Sequence, residues 1–169
     1  MLTRSPQQSD ASALIVWRAG RRALISPPEA VRAELTLRQG LHPTIEHHGR
    51  SQFLLGEYEL AVFASMKAVE VRVRSLAGEA NEVIGVNLMN RAFGPTGLLT
   101  DRSSTSGEQE GMRCLFAGAY AVLRNPAGHV ANYGDVAEAA DAVVTASLLM
   151  RILDAVERRL TAENAGPSA

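Results

Sequence analysis

Apolar residues recur every three or four positions along two long stretches of the chain. The first runs from about residue 57 to Ala77 and is followed by Gly78; its apolar positions are Val62, Met66, Val69, Val73 and Leu76. The second begins after Asp135, which forms a capping pattern with Glu138. Its stripe consists of Val136, Ala140, Val143, Val144, Ser147, Leu148, Ile152, Ala155, Val156 and Leu160. This spacing places the apolar side chains on one face of an α-helix. It predicts two long amphipathic helices.

Shorter helices are indicated by their start and stop signals. "SPPE" at residues 26–29 predicts a helix that ends at Gly40, and Pro43 opens another that ends at Gly56. A short helix is expected over residues 86–93. Ser106 with Gln109 predicts a capping box, and Pro126 ends the helix that follows. The expected apolar stripe of that helix is Met112, Leu115, Phe116, Ala119, Val122 and Leu123.

These elements predict an all-α bundle of four to five helices. Residues 1–40 are expected to form an N-terminal extension with one helix, residues 41–163 the helical domain, and residues 164–169 a disordered tail. No sustained alternation of apolar and polar residues predicts a strand, although "LIVW" (14–17) and "GLLT" (97–100) each allow a short extended piece.

Composition narrows the class of protein. The 169 residues suit one domain, and apolar residues make up 46% of the chain without a run near the roughly 18 that span a bilayer. The single cysteine, Cys114, is expected to be a buried apolar residue in a cytoplasmic protein. A net charge of -1 gives no global basic field, so any contact with nucleic acid has to use a local patch.

Candidate chemistry appears where the chain leaves a helix, in "LRNPAGH". Arg124 lies on the last helical turn, Pro126 and Gly128 bend the chain, and His129 follows. A histidine can move a proton to or from ribose and leaving oxygens, and an arginine can stabilise the negative charge of a cleaved phosphate. Asn125 can orient either group. The ordinary alternative has no site: the arginine interacts favourably with the helix dipole, and the histidine caps the next helix or is a hydrogen-bonded polar group in the loop.

Two other clusters invite a functional interpretation. "HPTIEHH" brings together His42, Glu46, His47 and His48, but adjacent helical residues point about 100° apart and only His42 and Glu46 have i, i+4 spacing. No metal or other cofactor is therefore expected. In "KAVEVRVR" (67–74) the charges suit internal ion pairs on a solvated face. The functional alternative is that Arg72, Arg74 and Arg113 form a basic strip that binds RNA.

Three ordered motifs resemble a known family. "LHPTIEHHGRSQFLLGEYELAVFASMKAVEVRVRSLAG", "LMNRAFGP" and "EQEGMRCLFAGAYAVLRNPAGH" are similar to Ymh-type phage-associated proteins of the HEPN (higher eukaryote and prokaryote nucleotide-binding) superfamily. The likeness extends from Leu41 to the end of the last helix. It implies a HEPN-like helical bundle that pairs into a homodimer and cleaves RNA without a metal. The matching catalytic residues are Arg124, Asn125 and His129, with Glu70 in support.

The resemblance also implies a role as a toxin or abortive-infection effector against phage. The substrate would be single-stranded RNA or tRNA, cut by 2′-hydroxyl attack in a dimeric active site, with an antitoxin or another defence-system partner. Two other interpretations stay open. One is a non-catalytic dimeric module that binds a nucleotide, RNA or protein, which the near-zero net charge favours; the other is a scaffold in a prophage-encoded assembly.

Overall fold

The computed structural model describes Leu35, Leu37 and residues 40–124 and 136–165. Within these residues the chain forms five helical segments and no strand, which confirms the all-α prediction. The segment α1 comprises Pro43–Ile45, a π-helical turn at Glu46–Arg50, and Ser51–Leu54. It is followed by α2 (Tyr58–Ala77), α3 (Gly85–Ala92), α4 (Ser106–Ala119, continued by a π-helical turn at Tyr120–Arg124) and α5 (Val136–Ala165).

Helix boundaries follow the predicted stop signals closely. Gly56 and Gly78 have positive φ angles of 77° and 64°, a backbone conformation that glycine adopts without a Cβ clash. Gly78 ends α2 where the pattern predicts. The last helix extends to Ala165, into the stretch expected to be a disordered tail. Most of the expected N-terminal extension and Pro126 lie outside the described residues.

The start of α4 differs from the prediction by one residue. Thr105, not Ser106, is the N-cap: its hydroxyl accepts from the backbone N–H of Glu108, whose carboxylate accepts from the N–H of Thr105 at 2.8 Å. The side chain of Gln109 instead donates to the carbonyls of Asp101 and Ser104, both at 2.9 Å. Gln109 therefore fixes the loop before the helix, and the capping box lies one position earlier than expected.

The core is formed mainly by α2 against α5, the most extensive contact between helices. The predicted stripe of α2 is buried, with Val62, Met66, Val69 and Val73 fully inaccessible. The buried face of α5 is rich in small residues, which lets the two helices approach closely. Its members are Ala139, Ala140, Ala142, Val143, Ala146, Ser147, Leu149, Met150, Leu153 and Val156. Leu37, from the expected N-terminal extension, is buried in the same core.

Several residues predicted to lie on buried faces are exposed instead. On α4 and its π-helical turn these are Leu115 and Val122; on α5 they are Val144, Leu148 and Ala155. The spacing of apolar residues in one sequence predicts the apolar face of a helix, but it does not predict which of those residues other helices cover. The "GLLT" stretch forms turns rather than an extended piece, with Leu99 and Thr100 buried.

A close crossing fixes α1 on α2. Gly49, in the π-helical turn of α1, is buried, and a Cβ built on it would lie 2.3 Å from the Oγ of Ser65. That hydroxyl donates to the carbonyl of Ala61 at 2.7 Å. The crossing therefore has room for a glycine and for no larger residue unless Ser65 moves.

Candidate functional site

Arg124 lies at the end of the π-helical turn that continues α4. In this turn Tyr120 and Arg124 both reach α2: Tyr120 contacts Glu70, and Arg124 lies over the ring of Phe63. Single π-helical turns are rare and are enriched at functional sites, because the wider turn redirects side chains that a regular helix would spread around its axis. The local backbone thus aims a tyrosine and an arginine at one helix.

Glu70 is a buried carboxylate, with only 2% of its surface exposed. It accepts hydrogen bonds from the Nζ of Lys67 at 3.1 Å, from the guanidinium of Arg74 and from the hydroxyl of Tyr120. Burying a charge without partners is strongly unfavourable, and here three donors compensate it. The predicted supporting residue is therefore the centre of a polar cluster inside the bundle.

The hydrogen bonds set the protonation state of this cluster. Burial by itself would raise the pKa of Glu70, but the bonds from Tyr120, Arg74 and Lys67 outweigh it and the pKa is lowered. Burial, the bond to Glu70 and the charge of Glu70 raise the pKa of Tyr120, while the nearby positive charge of Arg124 opposes that rise. At neutral pH, Glu70 is a carboxylate and Tyr120 a neutral donor.

The guanidinium of Arg124 lies 4.0 Å from the centroid of the Phe63 ring. A cation over an aromatic face is attracted by the ring quadrupole, and the planar guanidinium suits that contact better than an ammonium does. Its Nε is buried and has no hydrogen-bond partner within the described part of the chain. Buried donors without a partner are uncommon in native proteins, and among the described residues the Nε of Arg72 is the other one.

Glu70 and Arg124 are connected through Tyr120 in this arrangement. The carboxylate accepts from the Tyr120 hydroxyl, and the guanidinium lies close enough to that hydroxyl to affect its pKa. The structure thus brings together two of the predicted site residues. Asn125 and His129 lie outside the described residues, so their place relative to Arg124 stays a prediction.

The three arginines expected to bind RNA each share their charge with carboxylates. Arg72 pairs with Glu157 and lies 3.8 Å from Asp154, both on α5. The other two arginines hold different parts of the bundle: Arg74 bonds Glu70 and the carbonyl of Val83, and Arg113 bonds Glu110 and Asn90. All three therefore have structural partners, and a common RNA-binding strip stays a prediction.

One member of the histidine cluster, His42, has a structural role. The Nδ1 of His42 accepts from the N–H of Thr44 at 3.1 Å and caps α1, so Nε2 carries the proton and donates to Asp154 at 3.0 Å. Within residues 40–124 and 136–165, no three His, Cys, Asp or Glu side chains meet in a group that could hold a metal ion.

Cys114 is exposed, which corrects the expectation of a buried residue. Its thiol donates to the carboxylate of Glu110 at 3.3 Å. This hydrogen bond raises the pKa of the Cys114 thiol, whereas bonds from Arg113 and Cys114 lower the pKa of Glu110 to about 2. A thiol held protonated in this way is a poor nucleophile.

Sequence reasoning missed Tyr120 and Phe63 as parts of the site. The only signal for Tyr120 was its position four residues before Arg124, which brings side chains together on a helix. Phe63 stands beside the buried stripe of α2 and is only half-buried. Its function as a platform for Arg124 follows from packing between elements distant in sequence.

The described helices include none with the length and apolar character needed to span a bilayer. Searches of curated proteins and of solved structures give no match to this chain. A family described as "Protein of unknown function (Hypoth_ymh)" matches residues 39–153, which include α1 to α4, Arg124 and more than half of α5. Since this match covers most of the chain, the protein belongs to the Hypoth_ymh family.

Proposed function

We propose that this protein is a metal-independent endoribonuclease of the HEPN type that works as a homodimer. The observation that carries the proposal is Arg124: a half-buried guanidinium, held against Phe63 beside the Tyr120–Glu70 pair, with a buried Nε that lacks a partner among the described residues. A cation held in place on an aromatic ring can stabilise the negative charge that develops in a phosphodiester transition state.

The proposed reaction uses His129 for proton transfer. A histidine removes the proton of the ribose 2′-hydroxyl, and the 2′-oxygen attacks the adjacent phosphorus. The bond from phosphorus to the 5′-oxygen breaks, and that oxygen takes a proton from an acid. The products are a 2′,3′-cyclic phosphate and a 5′-hydroxyl. Arg124 stabilises the additional negative charge on the phosphoryl oxygens, and Asn125 orients the reacting groups.

A homodimer provides the base and the acid together. Each chain offers one His129, and a two-fold axis beside the end of α4 would place two of them in one cleft. The exposed apolar residues Leu115 and Val122 support an interface there, since they lie on the part of α4 that leads to Arg124. A Cβ at Gly118 would meet nothing within 4 Å, so this region is open to a partner.

The proposed biological role is that of a toxin or abortive-infection effector in phage defence, restrained by an antitoxin or another defence-system partner. This role rests on the resemblance of the sequence motifs. Its test is expression from a tightly controlled promoter, with growth and total RNA followed after induction. Growth arrest with RNA fragmentation by the wild-type protein, and neither effect with Arg124→Ala, is the expected result.

The cleavage assay uses purified protein, 5′-labelled single-stranded RNA or tRNA, and EDTA. Wild-type protein should cut the RNA and leave 2′,3′-cyclic phosphate ends, whereas Arg124→Ala and His129→Ala should be folded and inactive. Arg158→Ala and His47→Ala, at exposed positions, are the matched controls and should cut normally. Equal cutting by all five proteins would point to a contaminating nuclease and contradict the proposal.

A non-catalytic binding module is the second candidate function. One observation favours it: the three arginines expected to bind a nuclease substrate, Arg72, Arg74 and Arg113, all share their charge with carboxylates. Retention of RNA or nucleotide by the wild-type protein without cleavage, under the same conditions, would support this candidate.

A further inference from the structure

A groove of about 670 Å³ runs along the outer face of α2. Its apolar floor consists of Leu60, Ala64, Ala68 and Val71, whose spacings of four, four and three residues align them on one side of the helix. This face is opposite to the stripe buried against α5. Leu60 is 46% exposed and Val71 is 51% exposed, so the floor is open to a ligand.

The polar residues around this groove are basic or neutral. His48 projects from α1 and is exposed, and the Lys67 side chain is 45% exposed although its Nζ also bonds Glu70. His42 and Arg72 also line the groove, and each bonds a carboxylate of α5, Asp154 for His42 and Glu157 for Arg72. None of the described residues that line the groove carries a carboxylate, in a chain with 18 acidic residues and a net charge of -1. The groove therefore suits a ligand with apolar faces, and the partly exposed Lys67 offers that ligand one positive charge.

Phe63 connects the groove to the candidate catalytic residue. Phe63 lines it and also carries the guanidinium of Arg124 at 4.0 Å. A ligand on the floor of α2 would thus lie beside the group that is proposed to contact the cleaved phosphate. The volume falls in the roughly 300–1,000 Å³ range of sites for small ligands, which is enough for a nucleotide unit.

We propose that this groove binds the stretch of single-stranded RNA next to the cleaved phosphate. The bases lie on the apolar floor of α2, and the phosphates face Lys67 and His48. Unpaired bases are needed, because only a single strand can turn its base faces onto a protein surface. The inference rests on the proposed nuclease function and adds a substrate-binding surface to it.

The test is fluorescence anisotropy with a labelled 2′-fluoro oligoribonucleotide, which lacks the attacking 2′-hydroxyl and reports binding alone. Val71→Glu and Ala68→Glu place a carboxylate on the groove floor. Leu98→Glu and Ile84→Glu are matched controls, at residues 58% and 59% exposed that do not line the groove. We expect about tenfold weaker binding for the groove variants, equivalent to about 1.4 kcal/mol, and unchanged binding for the controls.

Binding and cleavage are measured separately, so the two proposals fail in different ways. Tight binding that both groove variants weaken, without cleavage of ordinary RNA, would support the groove and overturn the nuclease function. Cleavage by wild-type protein with no loss of binding in the groove variants would overturn the groove alone, and so would absence of binding. A change from dimer to monomer in Val71→Glu, seen by sedimentation, would identify a protein interface and overturn the RNA assignment.

Discussion

The hydroxyl of Tyr120 donates a hydrogen bond to the carboxylate of Glu70, which lies 50 residues earlier in the chain. Both residues are buried, at 4% and 2% exposure. This bond attaches the π-helical turn that ends at Arg124 to the polar cluster around Glu70 on α2. A buried carboxylate, a neutral phenol and a half-buried cation thus form one connected arrangement, and its members should affect stability and activity together.

Replacing Glu70 by Gln should lower the stability of the folded protein at neutral pH. The amide leaves the donors of Lys67, Arg74 and Tyr120 incompletely matched, and the expected loss is about 1–3 kcal/mol. Tyr120→Phe, which removes one donor, should show a loss in the same range. Urea unfolding measures both, with Glu82→Gln as the control at an exposed position.

The stabilising effect of Glu70 should depend on pH. Its pKa is lowered in the folded protein from an ordinary value of 4.5, so the ionised carboxylate stabilises the fold fully above about pH 4.5 and loses that effect as pH falls through the folded-state pKa. The difference in unfolding free energy between wild type and Glu70→Gln should therefore shrink as the pH is lowered from 7 to 3. A constant difference over that range would contradict the assigned ionisation.

Arg124→Lys should keep the fold and lose most of the proposed cleavage activity. The ammonium preserves the charge, but it cannot stack its plane on Phe63 or offer paired donors to a phosphate. We expect kcat to fall roughly 10²–10³-fold, as when one stabilising donor is removed from a transition state. Steady-state kinetics on a short RNA check this, and an equal rate for lysine would show that charge alone suffices.

Gly49→Ala should destabilise the protein by about 1–3 kcal/mol, because its methyl group would overlap the Oγ of Ser65. Gly111→Ala is the matched control. It lies in α4 with nothing within 4 Å of the added Cβ, so it should stabilise the helix by about 0.5–1 kcal/mol.

The close crossing also predicts a rescue. Removing the hydroxyl in Ser65→Ala leaves the Cβ of residue 65 at 3.7 Å from the new methyl group, an ordinary contact. The Gly49→Ala, Ser65→Ala double variant should therefore be more stable than the sum of the single changes allows. Additive losses in thermal or urea unfolding would mean that the clash is relieved in another way.

Val122→Glu should separate the proposed homodimer. Val122 is 66% exposed two residues before Arg124, and a carboxylate there would be buried without a partner in a symmetric interface. Sedimentation should show half the wild-type mass, and the proposed cleavage activity should be lost with it. Leu98→Glu, at a residue that is 58% exposed on the connection between α3 and α4, should remain dimeric.

Local signals were enough to predict most of the helices. The stripe from Val62 to Val73 and the stop at Gly78 depend on helical spacing and on the left-handed conformation of one glycine, and both are confirmed. The predicted N-cap of α4 was wrong by one residue, since Thr105 and Ser106 are both good capping residues. Their order of preference is decided by the loop, where Gln109 bonds the carbonyls of Asp101 and Ser104.

The sequence by itself determined the helical class, the two long amphipathic helices and the choice of Arg124 and Glu70 as residues of interest. These follow from short-range spacing, and the last pair from resemblance to a family. Only the tertiary structure decided that Tyr120 connects Glu70 to the turn of Arg124, that Phe63 supports the guanidinium, and that Leu60 and Val71 face an open groove. Contacts between helices depend on which faces meet across the bundle, and helical periodicity alone does not specify that choice.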